Sequence, residues 1–183
     1  MVLFDEQTPD TFKRIIALYE KYDNFVPIYC GQFQTIRPMI LNYLKHNSQG
    51  SEWVVSTRLD NDDSLGNKFT GVLHSVVNGL IDDESTRSDK MFINFPNGLQ
   101  YHNGEIYNFK DLTNAFVSLM EKTESIESVF CIGHPSIHKK APVVQVDGQP
   151  LWLQTVHETN VYNYIRGELV ESGDPLKSFS IKL

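Results

Sequence analysis

The chain has 183 residues, 40% of them hydrophobic, with eleven Phe, eight Tyr and a formal charge of −7. That length fits one domain with a sizeable core. The negative balance argues against the broad basic footprint of a nucleic-acid binder, and no apolar run approaches the roughly 20 residues needed to cross a bilayer.

Cys30 and Cys131 stand far apart, outside any CxxC or Cys/His spacing, and read as reduced, buried thiols of a cytoplasmic protein. Met1–Glu6 lacks the basic flank and long apolar run of a signal peptide. Val2–Phe4 predicts a strand. Thr8-Pro9-Asp10 predicts a helix start, with a hydroxyl cap, a proline in the first turn and an acid near the positive end. Phe12, Ile15, Ile16, Tyr19 and Tyr22 follow at helical spacing and are expected to face a core. Phe25–Cys30 reads as a strand, Pro27 marking an edge or a bulge. A helix from about Thr35 to Lys45 carries Ile36, Met39, Ile40, Tyr43 and Leu44 on one face.

Trp53-Val54-Val55 is too short and too branched for a helix and predicts a buried strand. Its end turns abruptly into Asp60-Asn61-Asp62-Asp63. Three carboxylates within four residues repel one another, which points to a cation among them, and a divalent metal suits hard oxygen ligands. The competing reading is an acidic turn capping the next helix. A calcium loop of the DxDxDG type is excluded by Ser64-Leu65. Phe69, Val72, Leu73, Val76 and Leu80 then mark an amphipathic helix, followed by a solvated stretch from Asp82 to Lys90. From Met91 the pattern changes to strand-like segments broken at Asn97-Gly98 and Asn103-Gly104, a β-ribbon with two Asn-Gly turns. Asn114–Glu121 and Ser128–Cys131 read as short buried segments and Gly133–Lys140 as a polar loop. Leu151–His157 is a returning strand ending on a histidine, and the tail from Gly167 is weakly structured. The whole is an α/β chain with βα units first and a β-ribbon in its second half.

Four segments, Ser56–Leu65, Phe92–Gly98, Asn114–Glu121 and Trp152–Val161, in this order resemble the putative rhamnosyltransferase family, glycosyltransferase-like proteins of the GT-A fold. The resemblance runs to about Gly167. It implies a GT-A-like, Rossmann-like mixed sheet within one domain over 1–183, with a nucleotide- and metal-binding βα half over 1–82 and an acceptor-side half with the β-ribbon over 91–167. It also implies an opening strand and helix ahead of Met1, so the domain is expected to be N-terminally incomplete, its sheet covered by a partner chain or a second copy.

The activity implied is transfer of a sugar from a nucleotide-sugar donor to an acceptor hydroxyl, aided by Mn or Mg at a DxD-type loop. On this chain the resemblance gives Asp62, Asp63 and His157 as metal ligands. Asp60, Arg58 and Asn160 are assigned to the donor, Arg58 having pairing with a neighbouring Asp as its alternative. Glu121, with a surface glutamate opening a charged stretch as its alternative, and His134 are candidates for the base that takes the acceptor's proton, and Trp152 is expected in the core. The alternative function is a non-catalytic GT-A-like binding module, or half of a split transferase without a complete donor site.

Overall fold

The computed structural model describes residues 1–31, 33–83, 88–157, 164–179 and 181. It is an α/β protein that divides into two compact units, Met1–Asn47 and Ser48–Leu183. The division falls well before the 82–91 stretch because the Trp53 strand pairs with a later strand, residue for residue from Trp53↔Lys122 to Thr57↔Ser118.

In the first unit, β1 (Val2–Asp5) lies parallel to β2 (Pro27–Cys30) in a two-stranded sheet, with α1 (Asp10–Ala17) between them and α2 (Phe33–Asn47) after them. Pro27 opens its strand, a position where its missing N–H is tolerated. The hydroxyl of Thr8 does not cap α1, whose cap position is Pro9. The expected core face is not realised: of Phe12, Ile15, Ile16, Tyr19 and Tyr22 only Ile16 is buried, Phe12 is 57% exposed, and Tyr19 and Tyr22 lie beyond the end of α1. A pair of four-residue strands presents too little apolar surface to cover such a face. In α2 Ile40 is buried, with Ile36, Met39, Tyr43 and Leu44 half-buried beside it.

The second unit contains β3 (Trp53–Thr57), β4 (Ser64–Leu65), α3 (Phe69–Asp82), β5 (Lys90–Asn94), β6 (Asn97–His102), β7 (Glu105–Lys110), β8 (Ser118–Lys122), β9 (Val143–Gln145), β10 (Trp152–Thr155) and β11 (Glu168–Leu169). They form a four-stranded sheet ordered β3-β8-β5-β9 and a five-stranded sheet ordered β11-β7-β6-β10-β4, each mixing parallel and antiparallel pairs. Phe69, Leu73 and Val77 of α3 are buried in one cluster with Ile93, Phe95, Phe116, Met120 and Trp152, so the helix and strands of both sheets share a core.

Only one Asn-Gly pair makes the ribbon's turn. Asn103 (φ 49°) and Gly104 (φ 90°) join β6 to β7, with His102 opposite Glu105, as a two-residue hairpin requires. Asn97-Gly98 instead lies inside β6. Gly98 is needed there for room: a Cβ would sit 2.1 Å from the Trp152 indole.

The Gly133–Lys140 segment is also more ordered than its polarity suggests, since a 3-10 turn over His134–Lys139 buries Ile137. Similarly, the tail adds β11 and a 3-10 turn, Pro175–Phe179, whose Leu176 and Phe179 pack with Leu99, Ile106 and Leu153. Cys30 and Cys131 are free and half-buried. Among the described residues no helix is long and apolar enough to cross a membrane. Gly98→Ala is expected to lower the unfolding free energy by about 1–3 kcal/mol, because the rigid indole cannot yield to an added methyl; chemical denaturation measures this.

Candidate active site

The acidic turn hangs between β3 and β4 and is tied down at several points. Arg58 donates its backbone N–H to Val117 O (3.3 Å), and Asp63 donates its own to Asp60 O (3.3 Å). β4 then pairs antiparallel with β10, Leu65 opposite Trp152 and Ser64 opposite Leu153. This register carries Asp63 alongside Thr155, whose backbone N–H donates to Asp63 Oδ1 (2.9 Å). Two residues on, His157 Nε2 meets Asp62 Oδ2 at 2.9 Å. Residues separated by nearly a hundred positions thus meet because one two-residue strand lies against the last strand of the core.

The electrostatics of the turn follow from that placement. Burial, and then the charges of Asp62 and Asp60, raise the Asp63 pKa to about 7, against the opposing pull of the Thr155 N–H and of His157. Arg58 Nε stands 3.7 Å from Asp60 Oδ1, and its guanidinium lies over the Phe130 ring.

A second wall is built from the turn between β7 and β8. Buried Asn114 donates to Phe95 O (2.9 Å) and accepts from Phe116 N (3.0 Å). Asp111 Oδ1 accepts from Thr113 N (2.8 Å), and His134 Nδ1 contacts Thr113 O. That contact fixes the imidazole and, in the tautomer that donates from Nδ1, leaves Nε2 as an acceptor. Trp152 forms the floor: 1% exposed, it stacks on Phe116 at 4.7 Å and donates Nε1–H to Phe95 O (2.7 Å).

Between these walls lies a cleft of about 590 Å³. Arg58, Asp60, Asp62, Asp63, His134 and His157 all line it. Among the described residues, however, no three His, Cys, Asp or Glu side chains are grouped so as to hold a metal ion. The match that decides the family covers residues 1–169. The chain belongs to the family described as putative rhamnosyl transferase. No curated protein and no solved structure matches it.

The family's name points to glycosyl transfer, and the rest of the site can be weighed in that light. Asn160 lies outside the described residues. Glu121 is not brought to the cleft. It is 0% exposed on β8, where its two carboxylate oxygens accept from the backbone N–H groups of Glu127 (2.9 Å) and Ser128 (2.8 Å), and Lys90 Nζ stands 3.6 Å away. That carboxylate holds a turn in which Ser128 adopts φ 65°, and a proton acceptor sealed in this way cannot reach a substrate hydroxyl. Asp111, Asn114, Gln154 and Arg166 line the cleft without having been singled out from the sequence. Arg166 carried no signal in the sequence, standing at the edge of the tail.

Two outcomes are expected. Glu121→Ala should cost about 3 kcal/mol in denaturant unfolding, since it strips a buried ion pair and two backbone donors of their partner, while ligand binding in the cleft survives in the folded fraction. For Asp63, the folded pKa lies above the unfolded 3.8, so stability present below that value is lost as pH rises through about 7. In chelator, the melting temperature of Asp63→Asn relative to the parent should therefore climb between about pH 4 and about pH 8. A flat difference would remove the raised Asp63 pKa, and with it the burial and charge crowding assigned to this turn.

Proposed function

We propose that this chain is a metal-assisted glycosyltransferase of GT-A-like construction, moving a sugar from a nucleotide-sugar donor to an acceptor hydroxyl. The observation that carries this reading is the acidic turn meeting His157 at the lining of the cleft, with Asp63 lifted to about 7 by burial among like charges. Two carboxylates and an imidazole suit Mn or Mg in donor chemistry, and a divalent charge would offset the burial and the neighbouring charges that raise Asp63. Asp62, Asp63 and His157 would hold it once drawn together from their present arrangement, in which they are not grouped around one point, the Asp62–His157 bond opening to do so. Bound there, the ion's chemistry would be to offset charge on the departing nucleoside diphosphate.

The chain's own residues do the remainder. Asp60, paired with Arg58, borders the donor end. His134, oriented by Thr113 O, is the base of this reading, its Nε2 accepting the acceptor's proton. Trp152, Phe116 and Asn114 give the cleft a rigid wall, so that donor and acceptor are held rather than adapted to.

A second reading, a binding module without catalysis, draws on the same Asp62–His157 bond, which gives the imidazole a partner from within the chain. Thermal shift against nucleoside diphosphates with and without Mn separates the two. The transferase reading expects stabilisation only when both are present, about 2.7 kcal/mol at a hundredfold excess over Kd, and its loss in Asp62→Ala with the fold intact. With donor and acceptor found, His134→Ala should lower kcat about 10²–10⁴-fold. No shift with any nucleotide in folded protein would leave the module.

A further inference from the structure

Beside the main cleft lies a second, of about 460 Å³, bordered by Asn97, Asn108, Lys110 and Glu168 and sharing Phe109 and Arg166 with the first. A ligand spanning both clefts must pass the Arg166 guanidinium. We propose that Arg166 reads a negatively charged group, a sugar carboxylate or phosphate, on the acceptor as it enters through this second cleft; the assignment to an acceptor rests on the transferase reading above.

Arg166 is held in place and still has donors to give. Its guanidinium lies 4.5 Å from the Phe109 ring centroid and 5.8 Å from that of Tyr164. The paired carboxylate, Asp111 Oδ2, is 4.0 Å from Nη2, beyond hydrogen-bonding range. Among the described residues these ring and charge contacts are the ones its side chain makes, and none is a hydrogen bond. Below it the backbone is pinned: the N–H groups of Arg166 and Gly167 both donate to Gln100 Oε1 (2.9 and 3.0 Å). Gln100 is buried, and its Nε2 donates to Gln154 Oε1 (2.9 Å). Gly167 lets the chain lie close on β7, since a Cβ there would stand 2.5 Å from Asn108 O. A planar fork of N–H donors set on a fixed backbone is suited to a carboxylate or phosphate.

Its neighbours place it on the acceptor side. Asp111 belongs to the turn that also holds His134 through Thr113, whereas the acidic turn has its own cation in Arg58. Lys110, the other cation of the second cleft, does not line the first and is drawn outward to Asp147 at 3.1 Å in an exposed pair. Arg166 is thus the cation that the two clefts share.

Ligand-observed NMR titrations of the full chain with glucuronate, glucose 1-phosphate and neutral glucose test this, using the parent, Arg166→Gln and Arg166→Lys. The parent should prefer one of the two anionic sugars to glucose by about tenfold or more. Arg166→Gln should abolish that preference, Arg166→Lys should keep part of it, and saturating nucleoside diphosphate with Mn should leave it in place. No preference for either anion, or one unchanged in Arg166→Gln, overturns the proposal. Displacement of the anionic sugar by nucleoside diphosphate also overturns it, assigning Arg166 to the donor. If no nucleoside diphosphate binds the parent while the Arg166-dependent preference persists, the transferase reading falls and the anion site stands.

Discussion

The site depends on the pairing of β4 with β10. A two-residue strand has little stability of its own, yet this one sets which residues share the cleft. Leu65 lies opposite the buried Trp152, Gly66 donates its N–H to Leu151 O (2.8 Å), and Asp63 takes the N–H of Thr155. Slip that register by one residue and every side chain changes face, separating Asp62 from His157. The backbone bond to Asp63 also means that its carboxylate is held by the fold whether or not a ligand is bound. Its displaced pKa is the electrostatic consequence of that fixed position.

Trp152 does for the floor what β4 does for the rim. Its ring is gripped by Phe116 in a stack and by Phe109 edge-on at 5.9 Å, and Gly98 supplies the space beneath. Phe95 O accepts from both the indole N–H and the Asn114 amide. The aromatic floor and the polar wall are therefore referred to one carbonyl, and disturbing either moves both. Close packing of this kind transmits strain instead of absorbing it.

How much of this could be read from the residues depends on the range of the interaction. The Asn103-Gly104 hairpin, the α3 face and the Trp53 strand are local patterns and stand out at once. The acidic turn and His157 could be singled out as chemistry, and their meeting in one cleft is a non-local fact that only the β4–β10 register supplies. Glu121 shows the opposite failure: a glutamate opening a charged stretch looks exposed, but its strand alternation is overridden by the sheet that buries it and by the two backbone donors that need it. Asn97-Gly98 carried a turn signal and is strand, because the glycine answers to an indole more than fifty residues away. For α1 the amphipathic period was real, but a period cannot say whether enough surface exists to cover it. Arg166 was invisible for a related reason: the buried Gln100 that places it lies on another strand.

The charges around the main cleft set a constraint on any mechanism proposed for it. Its lining includes four carboxylates, Asp60, Asp62, Asp63 and Asp111, and two guanidiniums, Arg58 and Arg166, each of which stands beside one of those acids. A nucleoside diphosphate entering such a surface unaided meets repulsion, and a low-dielectric floor of aromatic rings strengthens it. On the transferase reading, donor and cation must therefore favour each other's binding, and linkage makes that preference equal in both directions. Asp63 adds a proton to the balance, since a carboxyl neutral below about 7 must ionise before it can serve a cation. On that reading nucleotide, cation and proton would be coupled through one turn, because β10 holds that turn's carboxylates in place.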